Sequence, residues 1–504
     1  MRADTRQAGG RRHLRRTWTG RLALIAAASL AVSACGLRVD SGQVRLATGA
    51  AEGQGRGGGS GGGGGLGPAA GNSGGAATGT GGTTAGSSGA GPGGAAAGSS
   101  GSANGPGGTS SATTTPAGGN GGATDVGVTA TSITVGNVSD LGGPVPGLFQ
   151  GGPDGTQAYF DYINQTQGGV FGRKLQLKAS DDGLTCNQNE ASYQNLVSNV
   201  FAFVGSWSLD DNCGASQVMA QHPEVPLVQQ ALSPQMGNLP NEYSIAPFAY
   251  GANTGPFLYF KQKFPDVISQ VGTLVGNQPA AVASAKGIQA AMQSVGYKII
   301  YEDDFPAAQS NFTADVVRMR SQGVKEVFLQ AVNAPDAADL SNEMAQQNWH
   351  PQLFHCPVCY FAGYISQSGG ASNVEGQYLS VIQELFLGED AGSVPEVALF
   401  DQWMKQSYPD FQVDQFAATS WANAALFVQA LKSAGPHLTR KAVLSALAGT
   451  HSYSDNNMFP TTDVGAKTSG NCYILLEIKG GHYTRIDDPP TGFRCDGSFF
   501  HASD

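Results

Sequence analysis

The sequence predicts a two-lobed α/β protein, each lobe a parallel sheet flanked by helices. Three observations predict it. From about residue 131 onward, short apolar runs alternate with helical stretches, the pattern of βαβ units rather than of hairpins. The stretch Phe203 to Pro234 reads strand, loop, helix, strand, loop, and both of its small polar loops leave the carboxyl ends of strands, where open α/β sheets bind ligands. The region that holds this pattern is long enough for two domains of ordinary size.

Ahead of that region the chain has a different character. Residues 1–35 carry seven Arg against one Asp, a net of +6, so that of the total of −10 the rest of the chain holds −16. An acidic remainder argues against nucleic acid as a partner, because that affinity rests on Lys and Arg neutralising phosphates. A basic stretch (Arg11, Arg12, Arg15, Arg16, Arg21) precedes the apolar run Leu22 to Val32. The run is too short to span a bilayer and reads as a signal-peptide core. It ends in Val32-Ser33-Ala34-Cys35, followed by Gly36. This resembles the bacterial lipobox, and the resemblance implies that Cys35 is lipidated and becomes the mature N-terminus. Residues 51–124 hold 31 of the 73 glycines, and no charge occurs from Gly57 to Thr124. Such a segment cannot bury enough apolar surface to offset its chain entropy. Residues 36–130 are therefore expected to be a disordered tether between the anchored Cys35 and the folded module.

The first strand is expected at Ser132 to Gly136, with the Gly/Pro-rich loop Asp140 to Gly152 at its carboxyl end. A helix follows over Thr156 to Asn164, where Ala158, Tyr159, Tyr162 and Ile163 recur at helical spacing. Lys174 to Ala179 alternates as a strand, Glu190 to Asn199 is helical, and Val200 to Val204 is a strand that stops at Gly205. Gly214 to Gln221 is a helix, Val225 to Val228 a strand, and Tyr243 to Ala246 the strand on which the chain leaves the first lobe. In the second lobe, helices are expected over Phe257 to Phe264, Pro279 to Val295, Phe312 to Gln322 and Ala334 to Gln347. They alternate with strands at Val271 to Val275, Tyr297 to Tyr301, Glu326 to Gln330 and Gln352 to Phe354. Helices Val397 to Tyr408, Ala417 to Ala434 and Leu438 to Leu447 return to the first lobe. A hairpin over Gly480-Gly481 joins Cys472 to Ile478 with Tyr483 to Ile486. The lobes are thus residues 131–250 with 380–465, and residues 251–379 with 466–504.

The order of pieces at the start of the folded region carries a resemblance. A strand, a Gly-Pro loop and a helix lead into Ile163-Asn164, Gly168-Gly169 and Gly172-Arg173. A second strand ends in Asp181-Asp182, followed by Cys186 and Gln188. This is similar to the opening of type I periplasmic binding proteins, the leucine/isoleucine/valine-binding family, and the likeness extends over about residues 131–488. The resemblance implies a lipid-anchored, extracytoplasmic solute-binding protein of an ABC importer. It would close two lobes on a small polar ligand (an amino acid, amide or similar) and perform no chemistry. No cofactor or metal is expected, and a monomer is. The implied partners are the ligand, the permease subunits and, through Cys35, the membrane. The implied ligand contacts are Phe149, Ser206, Trp207, Ser208, Ala231, Leu232 and Ser233 in lobe one, with Val332, Asn333, His355, Cys356 and Pro357 in lobe two. Trp207, on a loop at the cleft mouth, is expected to carry little of the core. Two departures count against leucine or any free α-amino acid. Asp210-Asp211 would repel an anion at the helix end beside the serines. The loop at His355 offers no acid where amino-acid binders present a carboxylate to the ligand ammonium.

Setting Cys35 aside leaves six cysteines, an even set that reads as disulfides in an exported protein. The family resemblance pairs Cys186 with Cys213, and a Cys472–Cys495 bridge would tie the last hairpin to the tail. Cys356 and Cys359 form a C-x-x-C, which in a cytosolic protein signals redox chemistry or half a zinc site. No second pair stands at matching spacing, so zinc is not expected and a short-loop disulfide is. Two alternatives stay open: a ligand-sensing receptor module of the same fold, and a thiol-disulfide enzyme using Cys356 and Cys359. No G-x-S-x-G elbow, H-E-x-x-H or P-loop supports other catalysis, and Asp210-Asp211 read as caps or helix-dipole partners.

Overall fold

Continuous apolar runs become strands buried on both faces, and the polar-edged ones become sheet borders. The structure, a computed structural model, describes residues 119–503 apart from Ala308, Ala331, Asp487 and Asp488. The signal-peptide core, Cys35 and most of the Gly-rich tether lie outside the described residues. Lobe one contains β1 (Ser132–Ser139), α1 (Gly151–Thr166), β2 (Lys174–Asp181), α2 (Cys186–Val197), β3 (Phe203–Val204), α3 (Ala215–Ala220), β4 (Leu227–Val228), α4 (Pro234–Gly237) and β5 (Glu242–Tyr243). Its strands form one parallel sheet in the order β2-β1-β3-β4-β5. Central β3 and β4 are wholly buried, whereas edge strand β2 turns Lys174, Gln176 and Lys178 outward.

Lobe two follows with β6 (Gly251–Asn253), α5 (Gly255–Lys263), β7 (Val271–Gly276), α6 (Pro279–Ser294), β8 (Ile299–Phe305), α7 (Thr313–Gln322), β9 (Glu326–Gln330), α8 (Ala334–Gln346), β10 (Leu353–His355), α9 (Tyr364–Gln367), α10 (Ala371–Val374) and β11 (Tyr378–Val381). The chain then adds α11 (Pro395–Ser407), α12 (Gln415–Ala434) and α13 (Arg440–Ala448) to lobe one. It ends with β12 (Ile474–Lys479), β13 (His482–Arg485) and β14 (Phe499–His501). The second sheet runs β13-β12-β11-β10-β9-β7-β8, with β12 and β13 antiparallel, while β14 pairs with β6. The expected bridges Cys186–Cys213, Cys356–Cys359 and Cys472–Cys495 are all formed.

Three boundaries differ from the sequence reading. β11 pairs with β10 and β12, so Ser380 and Val381 belong to lobe two and the crossing comes later than residue 380. Just beyond it, Arg485 of β13 holds Glu384 at 3.0 Å and Asp390 at 2.8 Å, all three largely buried. The folded module also begins before residue 131. Arg173 is fully buried, and a buried guanidinium needs acceptors. The segment after Gly119 supplies them, since Arg173 donates to the carbonyls of Asn120, Gly122 and Thr129.

The third difference is α1, which starts at Gly151 rather than Thr156. Three glycines and a proline read as loop because Gly is a poor helix former. Here the missing side chains are what the packing requires. A Cβ at Gly155 would collide with the carbonyl of Ala417 in α12, and one at Gly151 would come within 2.7 Å of the Ala417 nitrogen. We predict that Gly155→Ala, a change that normally favours a helix, instead destabilises the protein by roughly 1–3 kcal/mol, read as a lower melting temperature.

Lobe two carries a buried acid with no visible role. Glu326 of β9 is fully buried, and neither carboxylate oxygen has a hydrogen-bond partner among the described residues. Burial pushes its pKa from 4.5 to about 8. A folded-state pKa above the unfolded one gives stability that is complete below the unfolded value and is lost as pH rises through the folded value. At pH 7 the loss from this one group is roughly 3 kcal/mol. The melting temperature should therefore fall between pH 5 and pH 8, and Glu326→Gln should flatten that fall in a thermal-unfolding series.

Candidate functional site

Each strand of a parallel sheet ends its carboxyl edge in a loop, and the loops of both lobes converge on one cleft. In lobe one, β3 ends at Gly205, whose φ of +67° favours glycine and where a Cβ would strike the Thr156 hydroxyl. This turn lays Trp207 beside β1, with its N–H donating to Ser139 Oγ at 3.0 Å. The indole Nε1 donates to Ser420 Oγ of α12 at 2.9 Å. Phe149, just before α1, and Phe416, in the first turn of α12, complete a triad. Ring centroids lie 5.6 Å apart for Phe149–Trp207, 4.7 Å for Phe149–Phe416 and 4.9 Å for Trp207–Phe416. Edge and tilted contacts of this kind add to the burial of the rings.

The serines expected to meet the ligand are turned inward. Ser206 Oγ accepts from the Val138 N–H of β1. Ser208 Oγ accepts from Asn189 and from the Asp210 N–H. Ser233 caps α4 by accepting from the Met236 N–H. Ala231 is buried and lines a different crevice. Physical economy explains this: buried strand ends and short helices need their own donors satisfied. The nearby acids do the same work. Asp140 accepts from the Leu209 N–H, and Asp211 accepts from the Leu232 N–H at 2.7 Å. Burial, with Asp182 hydrogen-bonded beside it, pushes the Asp140 carboxyl far up. Burial also raises Asp211 to about 7 and Asp210 to about 6. The Asp140 and Asp211 carboxyls pin the cleft loops from behind.

In lobe two, Asn333 caps α8, accepting from the Asp336 N–H at 2.8 Å and donating to the Asp336 carboxylate at 2.6 Å. Burial first, and Asp339 second, raise Asp336 to about 7. The expected contacts on the next loop are corrected. His355 shares a strand face with Leu353 and is fully buried among Phe257, Phe260 and Phe328. Its Nε2 lies 2.9 Å from Ser380 Oγ, and burial lowers its pKa to about 3, so the ring is neutral. Cys356 and Cys359 are buried too. Neither they nor Pro357 reach the cleft; Val358, held between the bridged cysteines, does.

The lobes enclose a cavity of about 180 Å³. Of the residues singled out in the sequence, Phe149, Trp207, Leu232, Val332 and Asn333 line it. Sequence reasoning missed Leu148, Leu209, Gln278, Phe305, Asp336, Val358 and Phe416. Gln278 and Val358 follow strand ends and Phe305 is the last residue of β8, so the rule that chose the other loops would have found them had it been applied to every strand. Phe416 had a subtler signal. Asp414 caps α12, and an Asp before an apolar helix marks its start.

A model of the family described as "Periplasmic binding protein" matches residues 132–482. The chain belongs to the periplasmic binding protein family. No curated protein sequence matches it. A substrate-binding periplasmic protein from Ralstonia solanacearum has the same fold, with a TM-score of 0.62 and 18% identity over 70% of this chain and 100% of that one. A fatty acid ABC transporter substrate-binding protein from Thermomonospora curvata gives 0.60 and 17%, over 75% and 94%. A branched chain amino acid ABC transporter from Thermus thermophilus with bound valine gives 0.60 and 16%, over 73% and 97%. This binding protein therefore has the two-lobed type I architecture. The family consists of extracytoplasmic solute binders rather than enzymes. Among the described residues no helix is long and apolar enough to cross a membrane.

Trp207 is only 7% exposed, so it carries packing as well as cleft wall, contrary to the expectation for a loop residue. Trp207→Ala should lower the melting temperature, at about 3 kcal/mol or more of stability, and should also weaken ligand binding. Parallel thermal melts and titrations of the variant check both effects.

Proposed function

We propose that this binding protein is a lipid-anchored carrier that captures an apolar, uncharged molecule between its lobes, as a monomer, and presents it to the permease of an ABC importer. One observation carries the ligand class. The cavity is walled by Leu148, Phe149, Trp207, Leu232, Phe305, Val332 and Phe416, and no Lys or Arg stands among its described lining residues. A ligand carboxylate would enter opposite Asp336 with no cation to offset its desolvation. A free amino acid needs partners for two charges, and the serines that would take one of them are buried and do not line the cavity. A neutral hydroxyl, amide or carbonyl head asks less, since the Asp336 carboxyl, raised to about 7, can donate or accept near neutrality. The apolar wall is in keeping with the acyl chain, though not the carboxylate, of the fatty acids named for the Thermomonospora neighbour, more than with the valine of the Thermus one.

Calorimetric titration with 1-decanol, decanoate and L-leucine tests this reading. Decanol should bind. Decanoate should bind at least tenfold more weakly at pH 8 and recover towards pH 5, as Asp336 and the ligand take up protons. Leucine should not bind, and leucine binding more tightly than decanol would overturn the ligand class. The anchoring half rests on Val32 to Cys35 in the sequence. Cys35→Ala should move the protein from the membrane fraction to the medium; retention in the membrane would refute the lipid anchor.

A further inference from the structure

The cavity has a neighbour. A second chamber of about 330 Å³ opens beside it. Six residues line both spaces: Val145, Leu148, Asn333, Val358, Gln415 and Phe416. The two spaces thus share a boundary built from the tip of the β1 loop, the α8 and α12 N-termini and the residue clipped between Cys356 and Cys359. Beyond that boundary the second chamber continues between the lobes to Phe361 and Phe411, with Ala334 and Gln412 on its walls. The main cavity alone falls below the ~300–1,000 Å³ usual for ligand sites, and together the chambers enter that range.

From this shared boundary we infer that the two spaces join and that the ligand is elongated. Its hydrogen-bonding head lies in the main cavity near Asp336, and its unbranched apolar tail passes between Val358 and Phe416 into the second chamber. The inference rests on the apolar, uncharged ligand class proposed above and adds length to it. No Lys or Arg lines the second chamber either, among the described residues, so a tail ending in an anion finds no counter-charge there. A slender chain suits two adjacent spaces that share one wall, whereas a compact ligand of equal volume would fill neither well. Each methylene that leaves water should then strengthen binding about fourfold, and the gain should continue after the main cavity is full.

Calorimetric titration with 1-hexanol and 1-dodecanol reads this out as a ratio of affinities. The native protein should favour dodecanol by more than a hundredfold. Ala334→Trp fills the second chamber from α8, and Gln412→Trp fills it from the opposite lobe; both positions are partly or wholly exposed, so each variant should fold. In either one the ratio should collapse to tenfold or less, with hexanol still bound. If both variants keep the native ratio, the tail does not enter the second chamber and the inference is wrong, although the apolar cleft stands. If neither alkanol binds the native protein, the proposed ligand class itself fails.

Discussion

The contact between α1 and α12 sets the rest of the site. Gly151 and Gly155 let the two helices approach until backbone meets backbone, and Gly152 leaves room for the β3 loop. A Cβ at Gly152 would stand 3.1 Å from Trp207 Cδ1, and one at Gly151 would enter the Asp414 carboxylate that caps α12. Only at that separation can Phe149, ahead of one helix, and Phe416, in the first turn of the other, close on Trp207. The aromatic wall follows from helix packing, and the packing follows from absent side chains. The glycines give up helix propensity in exchange for a contact that no larger residue allows.

A second constraint decides what the cleft presents to a ligand. Buried polar groups call for partners, and the cleft serines find theirs within lobe one. Ser206, Ser208 and Ser233 serve backbone N–H groups behind the wall, while Asp140 and Asp211 hold Leu209 and Leu232 in place. Buried polar residues thus position the loops, and the cavity wall is mainly apolar, with Gln278, Ser284, Asn333, Asp336 and Gln415 as its polar members. The C-x-x-C follows the same logic, because both sulfurs are buried and the bridge presents Val358. Disulfide-exchange chemistry requires an accessible sulfur, which this arrangement does not offer.

Much of the fold was legible because its signals are local. Apolar runs ending at Gly205 and after Val228, and the alternating edge strand from Lys174, required only strand periodicity. The α1 start was illegible because its glycines answer to Ala417, more than 250 residues away in sequence. The same holds for the segment from Asn120 to Ala130, which composition assigns to a tether but which Arg173 draws into the fold. In the cleft, strand-end loops were legible and side-chain direction was not. Trp207 and Val332 face the cavity, whereas His355, expected on a loop but in fact the last residue of β10, points into the lobe-two core. Serine beside a helix end is an ambiguous sign, since it can meet a ligand or the backbone, and here the backbone holds it.

The most direct measurement is mass spectrometry of the organic extract from protein purified without denaturation from its native host. An apolar cleft with no Lys or Arg among its described lining residues should carry a neutral, chain-bearing molecule in stoichiometric amount. Recovery of a free amino acid, or of another small charged solute, at that stoichiometry would contradict the account.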